Sequence, residues 1–320
     1  MTKEYLDTIE LFAQKSAAGE RIDKFLSDTL SDYNGDGTEK NGVCFSRSYI
    51  QKLIGDGFVL VDNKNIKSNR RLSEGEKITV NVPVPVGLEI LPENIPLDIV
   101  YEDDDVILVN KPKGMVVHPA AGHYGGTLVN ALMYHCGDAL SGINGVLRPG
   151  IVHRIDMDTT GIIIACKNNA AHLSLAEQLK NHSITRYYHA ICYNNFSDVK
   201  GTIDAPIGRN PNERKKMAID RRNGREAVTH YELISNLQGF AHIKCRLETG
   251  RTHQIRVHMA SISHPLLGDT LYCKAKPPFK LRGQTLHAKT LGFVHPRTGE
   301  YMEFEAPLPD YFEALLERLK

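Results

Sequence analysis

Residues 150–168, "GIVHRIDMDTTGIIIACKN", set charge between two apolar runs. "GIV" and "GIIIACK" read as short buried strands, rich in β-branched residues and bounded by glycine. Between them stand His153, Arg154, Asp156 and Asp158, closed by Thr159, Thr160 and Gly161. A strand, a tight polar turn and a second strand form a rigid platform for a side chain facing a cleft. On such a turn Asp156 could be a nucleophile, a general acid or base, or a metal ligand. Equally, Asp156 and Asp158 could do no more than cap the turn while Thr159 and Gly161 close it. Arg154, two residues before Asp156, weighs against mere capping, because charge-assisted pairing holds a carboxylate ionised and oriented.

Outward from this turn, residues 98–320 mix strand-like runs ("IVYED", "VILVNK", "HAIC", "AHIKCRLE") with helix-like ones ("TLVNALMYHC", "NAAHLSLAEQLKNH", "HQIRVHMASIS", "YFEALLERLK"). They show no regular strand–helix alternation. The pattern predicts an α+β domain with a largely antiparallel mixed sheet rather than a doubly wound one. Upstream, the proline-rich "VPVPVGLEILPENIPLD" predicts a linker over about residues 84–97. Residues 1–83 then form a separate small α/β unit. Its first helix carries Ile22, Phe25, Leu26 and Leu30. A second, with Ser46 as N-cap, carries Ile50, Leu53 and Ile54 and ends near Gly55 and Gly57. "FVLVDNKNI" and "KITVNV" follow as strands. The polar, glycine-rich stretch near 31–45 reads as an inserted loop.

At 320 residues, with 41 % hydrophobic and 24 % charged residues, the chain has the composition of a soluble globular protein and the length of two domains or of one large domain with an appendage. No apolar run approaches the roughly 18 residues of a membrane span, and the N-terminus lacks the apolar core of a signal peptide. The six cysteines are scattered without a C-x-x-C pair, which points to reduced thiols and the cytoplasm. The net charge is only +1, so polyanion binding is not advertised globally. Locally it is. Residues 46–79 hold seven basic side chains, Arg47 and Lys52 among them, against four acidic ones. Residues 207–225 hold seven, including Arg209 and Arg225, against two. One such block is often a solvated face, but two beside a reactive-looking turn favour a nucleic-acid partner.

The turn itself, "HRIDMDTTGIII", is similar to the H-R-L-D-x-x-T-S/T-G-L signature of the RluA-type pseudouridine synthases. Four more blocks of that family stand in order along the chain, one before the turn and three after it. They are "NKPKGMVVHP" at 110–119, "TRYYHAIC" with the family tyrosine at Tyr188, "RLETGRTHQIRVHMASISHPLLGD" at 246–269, and the closing "LHAKTLGFVHPRTGE" with "FEAPLPDYF". "RPGIVHRIDMDTTG" and "GREAVTHY" are most similar to the RluD-like branch, the large-subunit ribosomal pseudouridine synthases. The N-terminal unit resembles the S-four-type RNA-binding module in its R-x-D-x-x-L opening (Arg21, Asp23, Leu26), its S-R-S and its I-x-x-G-x-V.

These resemblances imply isomerisation of uridine to pseudouridine in structured RNA, most readily the 23S ribosomal RNA, without metal or small-molecule cofactor. They make Asp156 the catalytic carboxylate, whether it attacks the sugar, attacks the base or abstracts a proton. Arg251 becomes its guanidinium partner. Tyr188 lies against the uracil, with its hydroxyl as candidate acceptor of the C5 proton. Arg154 would fill the space of the displaced base, Arg209 and Arg225 would clamp the RNA backbone, and Arg47 and Lys52 would contact RNA from the N-terminal module. Ile155 replaces the family leucine, and Met157 stands where Lys or Arg is common. His118, His153, His253 and His258 match no common zinc or two-metal spacing. Two other classes compete: a metal-dependent phosphoesterase, for which only Asp156 and Asp158 are close in sequence, and a non-catalytic RNA-binding assembly factor. A monomer is the default expectation.

Overall fold

The computed structural model describes residues 5–30, 45, 47–83, 90–119, 123–137, 139–142 and 149–320. The expected insertion over 31–44 and the expected cap Ser46 lie outside the described residues. The chain divides into two compact units, Met1–Gly87 and Leu88–Lys320. Among the described residues no helix is long and apolar enough to cross a membrane.

The smaller unit runs β1 (Tyr5–Phe12), α1 (Ile22–Thr29), α2 (Arg47–Gly55), β2 (Val59–Val61), β3 (Lys64–Asn65) and β4 (Lys77–Pro83). The strands form an antiparallel sheet in the order β1-β4-β2-β3. Strand β1 lies ahead of the segment with a clear sequence pattern. It earns its place by alternation, with Ile9 buried and Thr8, Glu10 and Phe12 exposed. Asp62 and Asn63 both take positive φ, the geometry of a two-residue hairpin turn between β2 and β3. Ile22, Leu26, Ile50 and Leu53 from the helices meet Val59, Ile78 and Val80 from the sheet, all buried.

The larger unit begins before the expected boundary. Ile90 is buried in its core, Glu93 accepts a hydrogen bond from the Gly126 amide, and Leu97 packs on the same core. Residues 90–97 are therefore attached to this unit and are not free linker. Next come β5 (Ile99–Glu102), β6 (Val106–Lys111), α3 (Leu128–Cys136), β7 (Thr160–Cys166), α4 (Asn169–Lys180), β8 (Thr185–Tyr193) and β9 (Lys200–Asp204). After them follow β10 (Ile207–Arg209), β11 (Met217–Ile219), β12 (Val228–Asn236), β13 (Phe240–Leu247), α5 (Gln254–Ser261), β14 (Leu286–Val294), β15 (Tyr301–Glu305) and α6 (Asp310–Arg318).

Nine strands make one sheet in the order β5-β6-β7-β14-β8-β13-β12-β9, with β15 on β14; β10 and β11 form a separate hairpin. Every pairing is antiparallel except β7 with β14, where Thr160 faces His287 and Gly161 faces Ala288. Strand β7 is buried at every position, which explains its unbroken apolar run. Alternate residues serve two layers. Ile107, Val109 and Ile163 face α3 and α5, whereas Val106, Leu108, Ile162 and Ile164 face α4. Gly161 is required where β7 begins. Its φ is +107°, and a β-carbon there would run into the Ala288 carbonyl. The other expected strand, "GIV", does not form. Ile151 makes a single bridge to Ala165, and the chain then bends through the charged turn.

Candidate active site

The parallel pairing at the start of β7 sets the 153–159 turn at the mouth of a cleft of about 480 Å³. Arg154, Asp156, Arg186, Tyr188, Arg251, His253 and Arg256 are among its lining residues. Asp156 is the one carboxylate in this lining, against several cations, which suits a polyanionic substrate.

The turn is fixed from below. Lys111, at the end of β6, is completely buried, and its ammonium donates to the carbonyls of Pro112, Met115 and Met157 at 2.9, 2.9 and 3.0 Å. The Gly114 amide donates to the same Met157 carbonyl. "NKPKGM" and "IDMDT" are thus bound to each other through the backbone between the two aspartates. Burial pushes the Lys111 ammonium down to about 7, opposed by the charges of Asp158 and Asp156. His153 accepts a hydrogen bond at Nε2 from the Ile164 amide, and burial lowers its pKa to about 3, so it is a neutral structural brace.

Asp156 is paired with Arg256, not with Arg251. Arg256 Nη1 donates to Asp156 Oδ2 at 2.9 Å, while its Nε and Nη2 clasp Asp269 at 2.7 and 3.0 Å. Asp269 is fully buried and also accepts the amides of Leu271 and Tyr272. Burial alone would lower the Arg256 pKa, but the hydrogen bonds and charges of the two aspartates raise it, so the guanidinium stays charged. Arg251 sends its Nε to the Glu226 carbonyl at 2.8 Å and lines the cleft from its rim. The physical reason for the exchange is the backbone. His253 adopts a left-handed conformation (φ 57°) as α5 begins, and this bend separates Arg251 from the helix face that carries Arg256 into the interior. All of Gln254–Met259 is buried, and a buried guanidinium needs carboxylates. Two arginines five positions apart in "GRTHQIR" gave no sign in sequence of which one turns inward.

The second oxygen, Oδ1, accepts no hydrogen bond among the described residues. The nearest ring nitrogen, His253 Nε2, stands 3.9 Å away. Tyr188 lies on β8 opposite Cys245, faces the cleft and is 7 % exposed. Burial, then the Asp156 charge, raises its pKa, so its hydroxyl is a neutral phenol at pH 7. Two residues earlier on the same strand face, Arg186 is buried. Its Nη2 donates to the Glu248 carbonyl at 3.0 Å and its Nε finds no partner. Sequence reading passed over both Arg186 and Asp269. Arg154 is exposed on the cleft wall and makes no ion pair among the described residues. Asp158 stands instead 3.7 Å from Arg282.

The expected RNA contacts are distributed. Arg209 and Arg225 are exposed on the β10–β11 hairpin: Arg209 at its loop end, where its Nη1 donates to the Arg214 carbonyl, and Arg225 at its base, bridged to Ile207. In the smaller unit Lys52 is exposed on α2, but Arg47 spends part of its guanidinium on buried Asp23, at 3.2 Å. Among the described residues one trio, Asp103, Asp105 and His295, gathers three metal-ligand atoms. It lies outside the cleft lining. Arg297, Tyr101 and backbone amides already hold its carboxylates.

Residues 105–261, which contain the turn, Tyr188 and Arg256, match the family model described as RNA pseudouridylate synthase. The chain is 50 % identical to the uncharacterized RNA pseudouridine synthase YlyB of Bacillus subtilis, over 98 % of this chain and 99 % of that protein. It is 46 % identical to the ribosomal large subunit pseudouridine synthase D of Zymomonas mobilis, over 86 % of this chain and 89 % of the relative. Among solved structures, human RNA pseudouridylate synthase domain containing 4 superposes with a TM-score of 0.53 at 26 % identity, covering 69 % of this chain and 92 % of the other.

Proposed function

The chain belongs to the RNA pseudouridylate synthase family, and from that premise we propose that Asp156 is the carboxylate on which its conversion of uridine to pseudouridine depends. The reaction detaches uracil from C1′, turns it and rejoins it through C5. It needs an ionised carboxylate with one oxygen free, a cation to hold the other, and an enclosed space in which a flat base can turn. The observation that carries the proposal is the asymmetric seating of Asp156. Arg256 fixes Oδ2, and Oδ1 is left toward a cleft walled by Tyr188.

A uridine in folded RNA must leave its stack first, at a cost of a few kcal/mol. Arg154, exposed beside the cleft, fills the vacated position. The cationic rim, with Arg251, and the β10–β11 hairpin, with Arg209 and Arg225, neutralise phosphates on either side. Tyr188 forms the flat wall against uracil. To take the C5 proton Tyr188 must first give its own to solvent as a phenolate, an ionisation that burial and Asp156 oppose and that the Arg186 cation two residues away favours. The smaller unit, in which exposed Lys52 lies beside the Arg47 pair, is an S-four-type module that grips a neighbouring stem. Because relatives over most of the chain carry the name ribosomal large subunit pseudouridine synthase D, we place the target in large-subunit ribosomal RNA.

The test is tritium release from RNA labelled at uridine C5, with wild type, Asp156→Asn and Asp156→Ala, in the presence of EDTA. Release by wild type should survive chelation and vanish in both variants, a fall of at least about 10³-fold if Asp156 is the group that reacts. Variants that keep the wild-type rate would remove Asp156 from the chemistry. Mapping the modified site in ribosomal RNA would then check the target.

A further inference from the structure

The side of Asp156 that Arg256 leaves open faces a second group, His253, backed by Tyr272. His253 Nε2 is 3.9 Å from Asp156 Oδ1, and its other nitrogen, Nδ1, is 2.7 Å from the Tyr272 hydroxyl. That hydroxyl also accepts the Met217 amide at 2.8 Å. The Tyr272 oxygen is already an acceptor, and its single proton needs an acceptor of its own. Among the described residues that acceptor is His253 Nδ1. With the Tyr272 hydroxyl donating to Nδ1, the ring proton of a neutral imidazole sits on Nε2, the nitrogen that faces Asp156.

We infer that His253 is a positioning residue that presents an Nε2–H donor to the free oxygen of Asp156, with its tautomer set by Tyr272. The inference rests on the reading of Asp156 as the reacting carboxylate. Three observations converge on it. Burial lowers the ring pKa, against the pull of Asp156, which keeps the ring neutral at pH 7. Tyr272 braces both partners of Asp156, because its ring also lies 5.1 Å beneath the Arg256 guanidinium and its amide is held by Asp269. His253 is held with φ at 57°, where a residue chosen for the backbone alone would be glycine or asparagine. A 3.9 Å approach is too long for a hydrogen bond, and such contacts commonly tighten only when substrate is bound.

The geometry separates a donor from a structural prop. Asparagine's amide oxygen lies where Nδ1 lies, so His253→Asn keeps an acceptor for Tyr272, suits the left-handed backbone and loses the donor. Glutamine's amide nitrogen lies where Nε2 lies, so His253→Gln keeps the donor and loses the acceptor. Single-turnover tritium release with enzyme in excess should put Gln within about 10-fold of wild type. Asn and Ala should fall about 100-fold in rate with little change in the half-saturating RNA concentration, the scale of one hydrogen bond to a charged group. In parallel, ¹⁵N spectra of the histidine rings should show His253 protonated at Nε2 in wild type and a mixture of tautomers in Tyr272→Phe, whose rate should drop several-fold. An Asn variant as fast as Gln, or a ring protonated at Nδ1, would overturn the inference and leave His253 as a prop for Tyr272. Wild-type enzyme that releases no tritium, or an Asp156→Asn variant that still does, would instead overturn the proposed function, and the ¹⁵N spectrum would still decide the tautomer.

Discussion

Asp23 in the smaller unit and Asp156 in the larger one are both carboxylates held by arginine, and they differ in what is left over. The Asp23 side chain is fully buried and both of its oxygens are hydrogen-bonded. Arg21 binds both of its oxygens at 3.0 Å, Arg47 adds contacts at 3.2 and 3.3 Å, and Gln51 donates at 2.7 Å. Asp156 has one firm donor, Arg256, whose other two donors are committed to Asp269. Its side chain is 19 % exposed, with Oδ1 open to the cleft. A carboxylate that locks helices together engages both oxygens, whereas one that reacts must keep one free. The arginine tells the same story in reverse. Arg21 and Arg47 are about half exposed and give up part of their charge to a structural anchor, while Arg256 is buried so that it can orient a group that stays reactive.

The comparison breaks most sharply at Arg256. Arg256→Leu leaves Asp156 and Asp269 facing each other without their cation, which should cost the larger unit about 3–5 kcal/mol. Tritium release should fall by at least about 10²-fold, and Arg256→Lys should recover part of the stability but little of the rate, because a point charge cannot clasp Asp269 with two donors and still hold Asp156. Melting curves and single-turnover rates would read both effects. If Arg256→Leu kept its rate, the division between structural and reactive carboxylates would be wrong.

Asp23→Asn tests the other side at smaller cost. It should loosen the smaller unit by about 2 kcal/mol through weakened charge-assisted bonds. Hydrogen exchange should accelerate in β2 and β4 and stay unchanged in β7. The single-turnover rate at saturating RNA should also stay unchanged, and a rate loss would mean that Asp23 does more than hold α1 to α2.

The smallest effect sharpens the electrostatics. Burial alone would raise the Asp23 pKa, but the Arg21, Gln51 and Arg47 hydrogen bonds bring it from 3.8 down to about 2. A carboxyl whose folded pKa is depressed stabilises the fold above its unfolded value and loses that contribution as pH falls through the folded value. The smaller unit should therefore weaken between about pH 4 and pH 2, by no more than about 2 kcal/mol from this group. Asp23→Asn should flatten that part of the acid unfolding curve, and an unchanged curve would assign the acid sensitivity elsewhere.

Much of the fold was legible because it is local. The continuous "GIIIAC" run announced a buried strand, and the structure adds that Thr127 and Asn168, which the sequence reading did not single out, cap helices α3 and α4 with their own side chains. The Asp156 turn stood out because charge in a buried context needs a reason. Less legible was "GIV", which looks like a strand but contributes a single bridge, Ile151 to Ala165, before the chain bends. Residues 90–97 look like a linker because proline dominates their composition, yet Ile90 and Leu97 find a core that composition cannot see.

What the amino-acid order determined by itself was therefore the pattern of buried strands and capped helices, the position of Asp156 on a charged turn, and the membership of that turn in a recognisable set of blocks. These rest on periodicity and on side-chain chemistry within a few residues. Tertiary structure alone decided which arginine reaches Asp156, that Asp269 shares it, and that His253 turns Nε2 toward the free oxygen. Those outcomes depend on the parallel pairing of β7 with β14 and on a left-handed residue at the start of α5. Contacts such as Arg256 to Asp156 join residues a hundred positions apart. Their geometry is set by how whole elements pack, and no local window of sequence contains it.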